Sequence, residues 1–198
     1  MDVRQLTPAD IPRAAATLAD AFCDDPFSVW LFPPDRLRER LLDSWTMQLR
    51  VISVPRGYAF ATPDLDGVAL WAPPGDPGLG FFQQLRMFVP FVRILGRRLP
   101  AATAGFGVIR RGHPSERHWY LSTIGVAPAR QRTGLGRALI RPMVERADRE
   151  QTITYLETFK PDNVPYYERF GFAVTAEDDI PDGPHMWSMT RQPLGGGA

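Results

Sequence analysis

The stretch Leu121-Ser-Thr-Ile-Gly-Val-Ala-Pro-Ala-Arg-Gln-Arg-Thr-Gly-Leu-Gly-Arg-Ala-Leu-Ile140 decides the fold. With the residues before it, it predicts a central strand over 118–126. Leu135, Leu139, Met143 and Ala147 recur at helical spacing and predict a helix over 134–150. Pro142 lies inside that helix and should bend it or cost about 3 kcal/mol. Between strand and helix stands the turn Gln131-Arg132-Thr133-Gly134-Leu135-Gly136. Glycines there let a backbone come close to a ligand. The first amides of a helix are unpaired and carry the positive end of its dipole. Such a turn suits a phosphate or pyrophosphate, and Arg130, Arg132 and Arg137 add positive charge. The same Gly-x-Gly also fits a plain strand-to-helix turn that holds nothing. No Gly-x-x-x-x-Gly-Lys-Ser/Thr occurs, and Leu139 stands where the dinucleotide fingerprint needs its third glycine.

Working outward, Val3–Leu6 predicts a first strand, and Thr7-Pro8-Ala9-Asp10 a helix start with Thr7 as cap. The helix runs to Phe22 and is ended by Asp24-Asp25-Pro26. A second helix runs from Asp35 through Leu49, and Tyr58–Thr62 with Gly67–Ala72 predicts a hairpin. Pro73–Gly78 is a loop. Phe81–Leu99 predicts one or two helices, and Gly105–Pro114 a Gly/Arg-rich connection. Beyond the decisive stretch, Thr154–Thr158 predicts a strand, Val164–Phe170 a short helix ended by Gly171, and Phe172–Ala176 and Met186–Thr190 the last two strands. The order is β-α-α-β-β-α-β-α-β-α-β-β, a mixed α/β sheet with helices on both faces. Residues 1–193 form one domain in this reading, and 194–198 a flexible Gly-rich tail.

Composition bounds the function. The 198 residues suit one domain, and 44% hydrophobic residues supply a core. Lys+Arg 23 against Asp+Glu 22 gives a net charge of +1, which argues against nucleic acid as the main partner. The longest apolar stretch, near Met87–Gly96, is broken by Pro90 and Arg93, so no membrane-spanning segment is predicted. The start, Met-Asp-Val-Arg-Gln, lacks a signal-peptide pattern, and the single Cys23 cannot form an internal disulfide. A cytoplasmic domain is expected. His113, His118 and His185 are scattered without metal-ligand spacing, so no metal is expected.

Two motifs carry a resemblance. Val126-x-Pro128-x-x-Gln131-x-x-Gly134-x-Gly136 is similar to the acetyl-coenzyme A motif of the GCN5-related N-acetyltransferase (GNAT) family. Asn163-Val-Pro-Tyr-Tyr-Glu-Arg-Phe-Gly-Phe172 resembles that family's second signature, and the two stand in the right order. Within the family, Leu156-Glu157-Thr158, Asn163–Phe172, Pro181–Arg191 and Arg4–Phe22 resemble the puromycin N-acetyltransferases. Pro73–Pro114, where the acceptor would bind, resembles them less.

The resemblance implies a mostly antiparallel sheet splayed between strands 4 and 5, with the thioester of acetyl-CoA in the gap. It implies pyrophosphate on the amides of Arg132, Thr133, Gly134, Leu135, Gly136 and Arg137, with Gln131 beside them. The pantetheine arm would pair along Ile124, Gly125 and Val126 like an added strand. Val126 would also polarise the thioester carbonyl. Asn163 and Tyr166 would face the cofactor, and Tyr167 would protonate the departing thiolate. Tyr167 and Tyr166 could equally be core aromatics. Glu157 is the first choice for the base, with pairing to an arginine as the alternative. Asp25, Trp30 and Phe82 would contact the acceptor. The expected acceptor is a small-molecule primary amine, puromycin or a relative, attacked directly in a ternary complex. A protein N-terminus or lysine as acceptor, and a non-catalytic acyl-CoA-binding module, are the other readings. A homodimer is compatible with all three.

Overall fold

A computed structural model describes residues 2–76, 88 and 90–195. Seven strands form one sheet: β1 (Arg4–Gln5), β2 (Ala59–Ala61), β3 (Gly67–Ala72), β4 (His118–Val126), β5 (Ile153–Thr158), β6 (Ala173–Asp179) and β7 (His185–Arg191). Their order across the sheet is β1-β2-β3-β4-β5-β7-β6. Every neighbouring pair is antiparallel except β4–β5.

That one parallel pair positions the site. β4 has nine residues, yet it pairs with β5 only at His118↔Ile153, Trp119↔Thr154 and Tyr120↔Tyr155. Beyond Tyr120 the strands part, while β4 stays paired to β3 as far as Val126 and β5 to β7 as far as Thr158. The expected splay is therefore present, and it opens at Tyr120 and Tyr155. A bulge lies at its start. Register passes from Leu70↔Thr123 to Trp71↔Leu121, leaving Ser122 as the extra residue. A bulge bends its strand and swaps the faces of the residues that follow. Trp119 and Leu121 pack on one side of the sheet, and past the bulge Ile124 packs on that side instead. Gly125 then faces the other side, where an added Cβ would lie 2.9 Å from Leu18.

Helices cover both faces. α1 (Ile11–Ala21), α2 (Pro26–Leu31), α3 (Leu37–Gln48) and α4 (Leu99–Gly112) lie on one. α5 (Leu135–Arg149) and α6 (Val164–Glu168) lie on the other. α3 continues through a π-helical turn, Leu49–Ser53, into Val54–Arg56. Thr7 is the cap of the first helical turn, as expected, and Asp10 answers it with a hydrogen bond from the Thr7 amide at 2.8 Å; α5 runs unbroken through Pro142.

Two elements differ from the reading of the sequence. Asp25-Pro26 does not merely end a helix; it begins α2, with the Asp25 carboxylate accepting from the Ser28 amide at 2.9 Å. A cap followed by proline is a helix start, and the preceding helix stops four residues earlier. Gly105–Pro114 is not a connection, because α4 continues to Gly112. Its glycines lower helix propensity but permit close packing. A Cβ on Gly105 would lie 2.9 Å from Trp30, and one on Gly112 would lie 2.8 Å from Ser188 and 3.0 Å from Tyr155. Tertiary contact thus overrides local preference at both positions.

Arg191, 2% exposed, ties β7 to α5. It donates to both Asp148 oxygens at 2.7 and 2.8 Å and to the Phe170 carbonyl at 2.7 Å. The same carboxylate accepts from the Leu194 amide at 2.6 Å. Arg191→Ala should cost about 2–4 kcal/mol, because it removes a buried side chain that holds the Asp148 carboxylate and the Phe170 carbonyl. Thermal unfolding should show a drop on the order of 10 °C; an unchanged midpoint would mean the pair contributes nothing. No helix among the described residues is long and apolar enough to cross a membrane.

Candidate active site

The splay brings together residues that stand far apart in the chain. Tyr120 and Glu157 meet at its narrow end, where the Tyr120 hydroxyl donates to Glu157 Oε1. Among the described residues Glu157 has no arginine partner; its pairing is with tyrosine. Its other oxygen, Oε2, is enclosed and has no partner among the described residues. Burial pushes the Glu157 carboxyl up to about 8, although the Tyr120 hydrogen bond opposes the shift. The Tyr120 phenol is pushed well above its usual range by burial, then by the Glu157 charge.

Tyr167 comes from the other side of the sheet. α6 packs its ring among the α5-side core, edge-on to Phe172 with centroids 6.1 Å apart. The residue is 6% exposed, but its hydroxyl is not among the enclosed, unpartnered polar atoms. Burial raises its pKa, and the nearby Tyr166, Glu157 and Asp25 raise it further. The phenol therefore keeps its proton at neutral pH.

The turn beside the gap has an unusual backbone. Arg132 has φ 62° and Gly134 φ 89°, both left-handed. A left-handed arginine costs about 1 kcal/mol or more, the kind of strain that clusters at functional sites. The first bond into the helix is Ala138 N–H to the Gly134 carbonyl. Among the described residues, no backbone partner is found for the amides from Arg132 to Arg137. Leu135 is buried, while Gln131, Arg132, Thr133, Gly134 and Arg137 are exposed. Arg130 pairs with Asp66 at 3.5 Å; Arg132 and Arg137 have no ion-pair partner among the described residues. A Cβ on Gly136 would lie 2.5 Å from the Tyr166 hydroxyl, so any larger residue would have to displace that ring. The splayed edge of β4, including Ile124, Gly125 and Val126, leads directly to this turn.

Asn163 precedes α6 and donates to Thr158 Oγ1 at 3.1 Å, which fixes α6 against the end of β5. Asp25 is buried and caps α2. Burial raises its pKa, and its charge is felt at Tyr167. The Trp30 ring is wedged beside Gly105 and Gly183, with its Nε1 enclosed and without a partner among the described residues. Phe82 lies outside the described residues. A cavity of about 700 Å³ adjoins Tyr120, lined by Ser53, Phe106, Ile109, His113, His118 and Ser122 among others. No group of three or more His, Cys, Asp or Glu able to hold a metal ion is found among the described residues.

A parallel strand pair that splays over a glycine turn, with a tyrosine in the gap, is what the sequence resemblance implies. The sequence model of the Acetyltransferase (GNAT) family matches residues 73–172, half of the chain. The chain belongs to the GNAT family. It is an acyltransferase, of the N-acetyltransferase kind. An uncharacterised N-acetyltransferase of Schizosaccharomyces pombe is 28% identical over 184 residues, covering 87% of this chain and 74% of that protein. A Corynebacterium glutamicum structure described as "histone acetyltransferase HPA2 and related acetyltransferase" shares 27% identity at a TM-score of 0.73, covering 99% of this chain and 98% of that one. The Drosophila melanogaster polyamine N-acetyltransferase has a TM-score of 0.63 at 13% identity, covering 96% of this chain and 99% of that one. That third likeness speaks for the fold alone.

Tyr120 in this GNAT protein escaped the reading of the sequence. Alternation marks it only as a residue on the face opposite Trp119 and Leu121. Its significance depends on the β4–β5 pairing, which 34 residues separate, and no local pattern announces that.

Proposed function

We propose that residues 1–193 form one domain that transfers an acetyl group from acetyl-CoA to the primary amine of a small molecule. The observation that supports this reading is the splay, with the Tyr120–Glu157 contact at its narrow end, a cavity of about 700 Å³ beside Tyr120, and Tyr167 near enough to feel the Glu157 charge. Coenzyme A lies with its pyrophosphate on the amides of Arg132 to Arg137 and near Gln131, Arg132 and Arg137. Its pantetheine arm pairs with Ile124, Gly125 and Val126, whose edge β5 leaves uncovered beyond Tyr120. Asn163 and Tyr166 border it.

The amine attacks the thioester carbon. The nitrogen becomes cationic and gives its proton to Glu157, directly or through water. The C–S bond breaks, and the Tyr167 hydroxyl protonates the thiolate as charge leaves the carbonyl. The free amide of Val126 polarises that carbonyl. Asp25 and Trp30 lie toward the acceptor, and Phe82 is assigned there from the sequence alone.

Puromycin or a related amine is the proposed acceptor. The resemblance over Leu156–Thr158, Asn163–Phe172 and Pro181–Arg191 supports it. The similarity to the Corynebacterium structure, described as a histone acetyltransferase and related acetyltransferase, favours a second reading, a protein amine. An acetyl-CoA assay against puromycin, simple primary amines and lysine- or free-N-terminus peptides separates them. Acetylation of the small amines alone supports the first reading; acetylation of peptides alone overturns it.

Gly136→Val tests the cofactor half. The new side chain meets the Tyr166 hydroxyl at the first turn of α5. Calorimetric titration should show acetyl-CoA affinity reduced tenfold or more. Unchanged affinity would place the cofactor elsewhere.

A further inference from the structure

Charge is unevenly spread along the chain. From residue 77 to residue 115 there are six arginines and no aspartate or glutamate, so the rest of the chain is net negative. Arg93, Arg97, Arg98, Arg110 and Arg111 lie among the described residues, and all are exposed. Elsewhere exposed arginines meet acids, as Arg4 meets Asp10 and Arg141 meets Glu145. These five have no ion-pair partner among the described residues.

An apolar face lies between them. α4 carries no charged residue from Leu99 to Ile109, about three turns of helix. Ala102, Gly105 and Val108 face the core, while Pro100, Thr103, Ala104 and Phe106 are exposed. The Thr103 hydroxyl donates back to the Leu99 carbonyl at 3.0 Å, so it adds little polarity to that face. A surface helix normally turns charges outward, and one that is apolar all round belongs inside a protein or in lipid. Phe106 is 40% exposed, and its ring touches Phe27 of α2 and Phe91. Val29, also on α2, is 50% exposed, and Phe88, three residues before Phe91, is 61% exposed. The arginines bracket this face. Arg97 and Arg98 form the turn that leads into α4, and Arg110 and Arg111 stand in its last turn.

We propose that the outer face of α4, with the arginine pairs at its two ends, docks on an anionic lipid bilayer. Phe106, Phe88 and Val29 enter the boundary between headgroups and acyl chains. The arginine stems lie along the apolar surface, and their planar guanidinium groups bind headgroup phosphates in pairs of hydrogen bonds. The negative surface supplies the long-range attraction. With 14 residues and one side packed on the core, α4 lies along the bilayer rather than across it. A second copy of the chain fits this face poorly. A two-fold contact sets the same patch against itself and brings the arginines together. Phe106, Ile109 and Arg110 also line the cavity beside Tyr120, so docking sets that cavity at the bilayer surface. The docking does not depend on which amine is the acceptor.

Flotation of the full chain with lipid vesicles tests the proposal. One set holds phosphatidylcholine alone, the other equal parts of phosphatidylcholine and phosphatidylglycerol. Affinity for the anionic set should be at least tenfold higher and should fall as salt is raised. Each arginine near such a surface strengthens binding about fivefold, so replacing Arg97 and Arg98 together by glutamine should weaken it about 25-fold. Ala104→Glu puts a good helix former at an exposed position and a like charge against the bilayer. It should weaken binding tenfold or more. Thermal unfolding near the wild-type midpoint shows that both variants keep the fold. Equal affinity for the two vesicle sets, no binding to either, or anionic binding that neither variant alters would overturn the proposal. Binding to a polyglutamate peptide with none to vesicles would give this face to an acidic protein and overturn it too. So would a dimer, seen by analytical ultracentrifugation, that Ala104→Glu dissociates.

Discussion

Replacing Tyr167 by phenylalanine should lower the rate of acetyl transfer by about 10²–10⁴-fold, the range for loss of a positioned general acid. Affinity for acetyl-CoA should stay within about threefold. The change removes one oxygen from a ring that is otherwise packed with Leu139, Met143 and Phe172. The hydroxyl makes no hydrogen bond among the described residues, so the fold loses little with it. Burial and the surrounding acidic groups keep the phenol protonated. A neutral donor is therefore present throughout the working pH range. Steady-state kinetics with calorimetry on the same preparation separates the two effects. A variant as fast as wild type would mean that water, or another group, protonates the thiolate.

Glu157→Gln should slow transfer by about 10²–10³-fold at pH 8, and its pH dependence is diagnostic. With the carboxyl pushed up to about 8, the base is mostly protonated at pH 6. With 4-methoxyaniline, which stays neutral, kcat/KM should rise about tenfold per unit below pH 8 and level off above it. The variant should show a flat profile. The stability prediction has the opposite sign. The folded-state pKa lies above the reference 4.5, so the neutral carboxyl's contribution is fully present below about pH 4.5 and is lost as pH rises through about 8. Wild type should therefore lose stability between pH 5 and 9 relative to Glu157→Gln, by an amount on the order of a few kcal/mol. Chemical denaturation of both proteins across that range measures the difference. Parallel curves would show that Glu157 ionises in the native protein as it does in the unfolded chain.

Much of this was legible in local pattern. The Val126–Gly136 spacing and the Asn163–Phe172 signature are short, contiguous motifs, and both survive as a strand-to-helix turn and a short helix. β4 follows from the alternation between His118 and Val126, and α5 from the Leu135, Leu139, Met143 and Ala147 stripe. What stayed hidden depends on contact across the chain. α4 extends through Gly105 and Gly112 because Trp30, Tyr155 and Ser188 occupy the space beside them. The Ser122 bulge reverses the faces of β4 without breaking its buried–exposed alternation, so no hydropathy pattern reveals it. Histidines 113 and 118 read as scattered until the end of α4 and the start of β4 bring their rings within hydrogen-bond distance. The Tyr120–Glu157 contact joins two strands whose parallel pairing lasts three residues. Asp25-Pro26 carried a helix-start signal, but its place just after α1 made it look like a stop.

The central claim is that acetyl-CoA occupies the splay between β4 and β5 and the turn that follows β4. Amide chemical-shift mapping during titration with acetyl-CoA tests it most directly. Saturable shifts concentrated at Gly125, Val126 and Arg132 to Arg137, with weaker ones at Asn163 and Tyr166, are expected. Shifts confined to another surface, such as the groove lined by Gln5, Ile11 and Arg50, or no shifts at saturating acetyl-CoA, would contradict it.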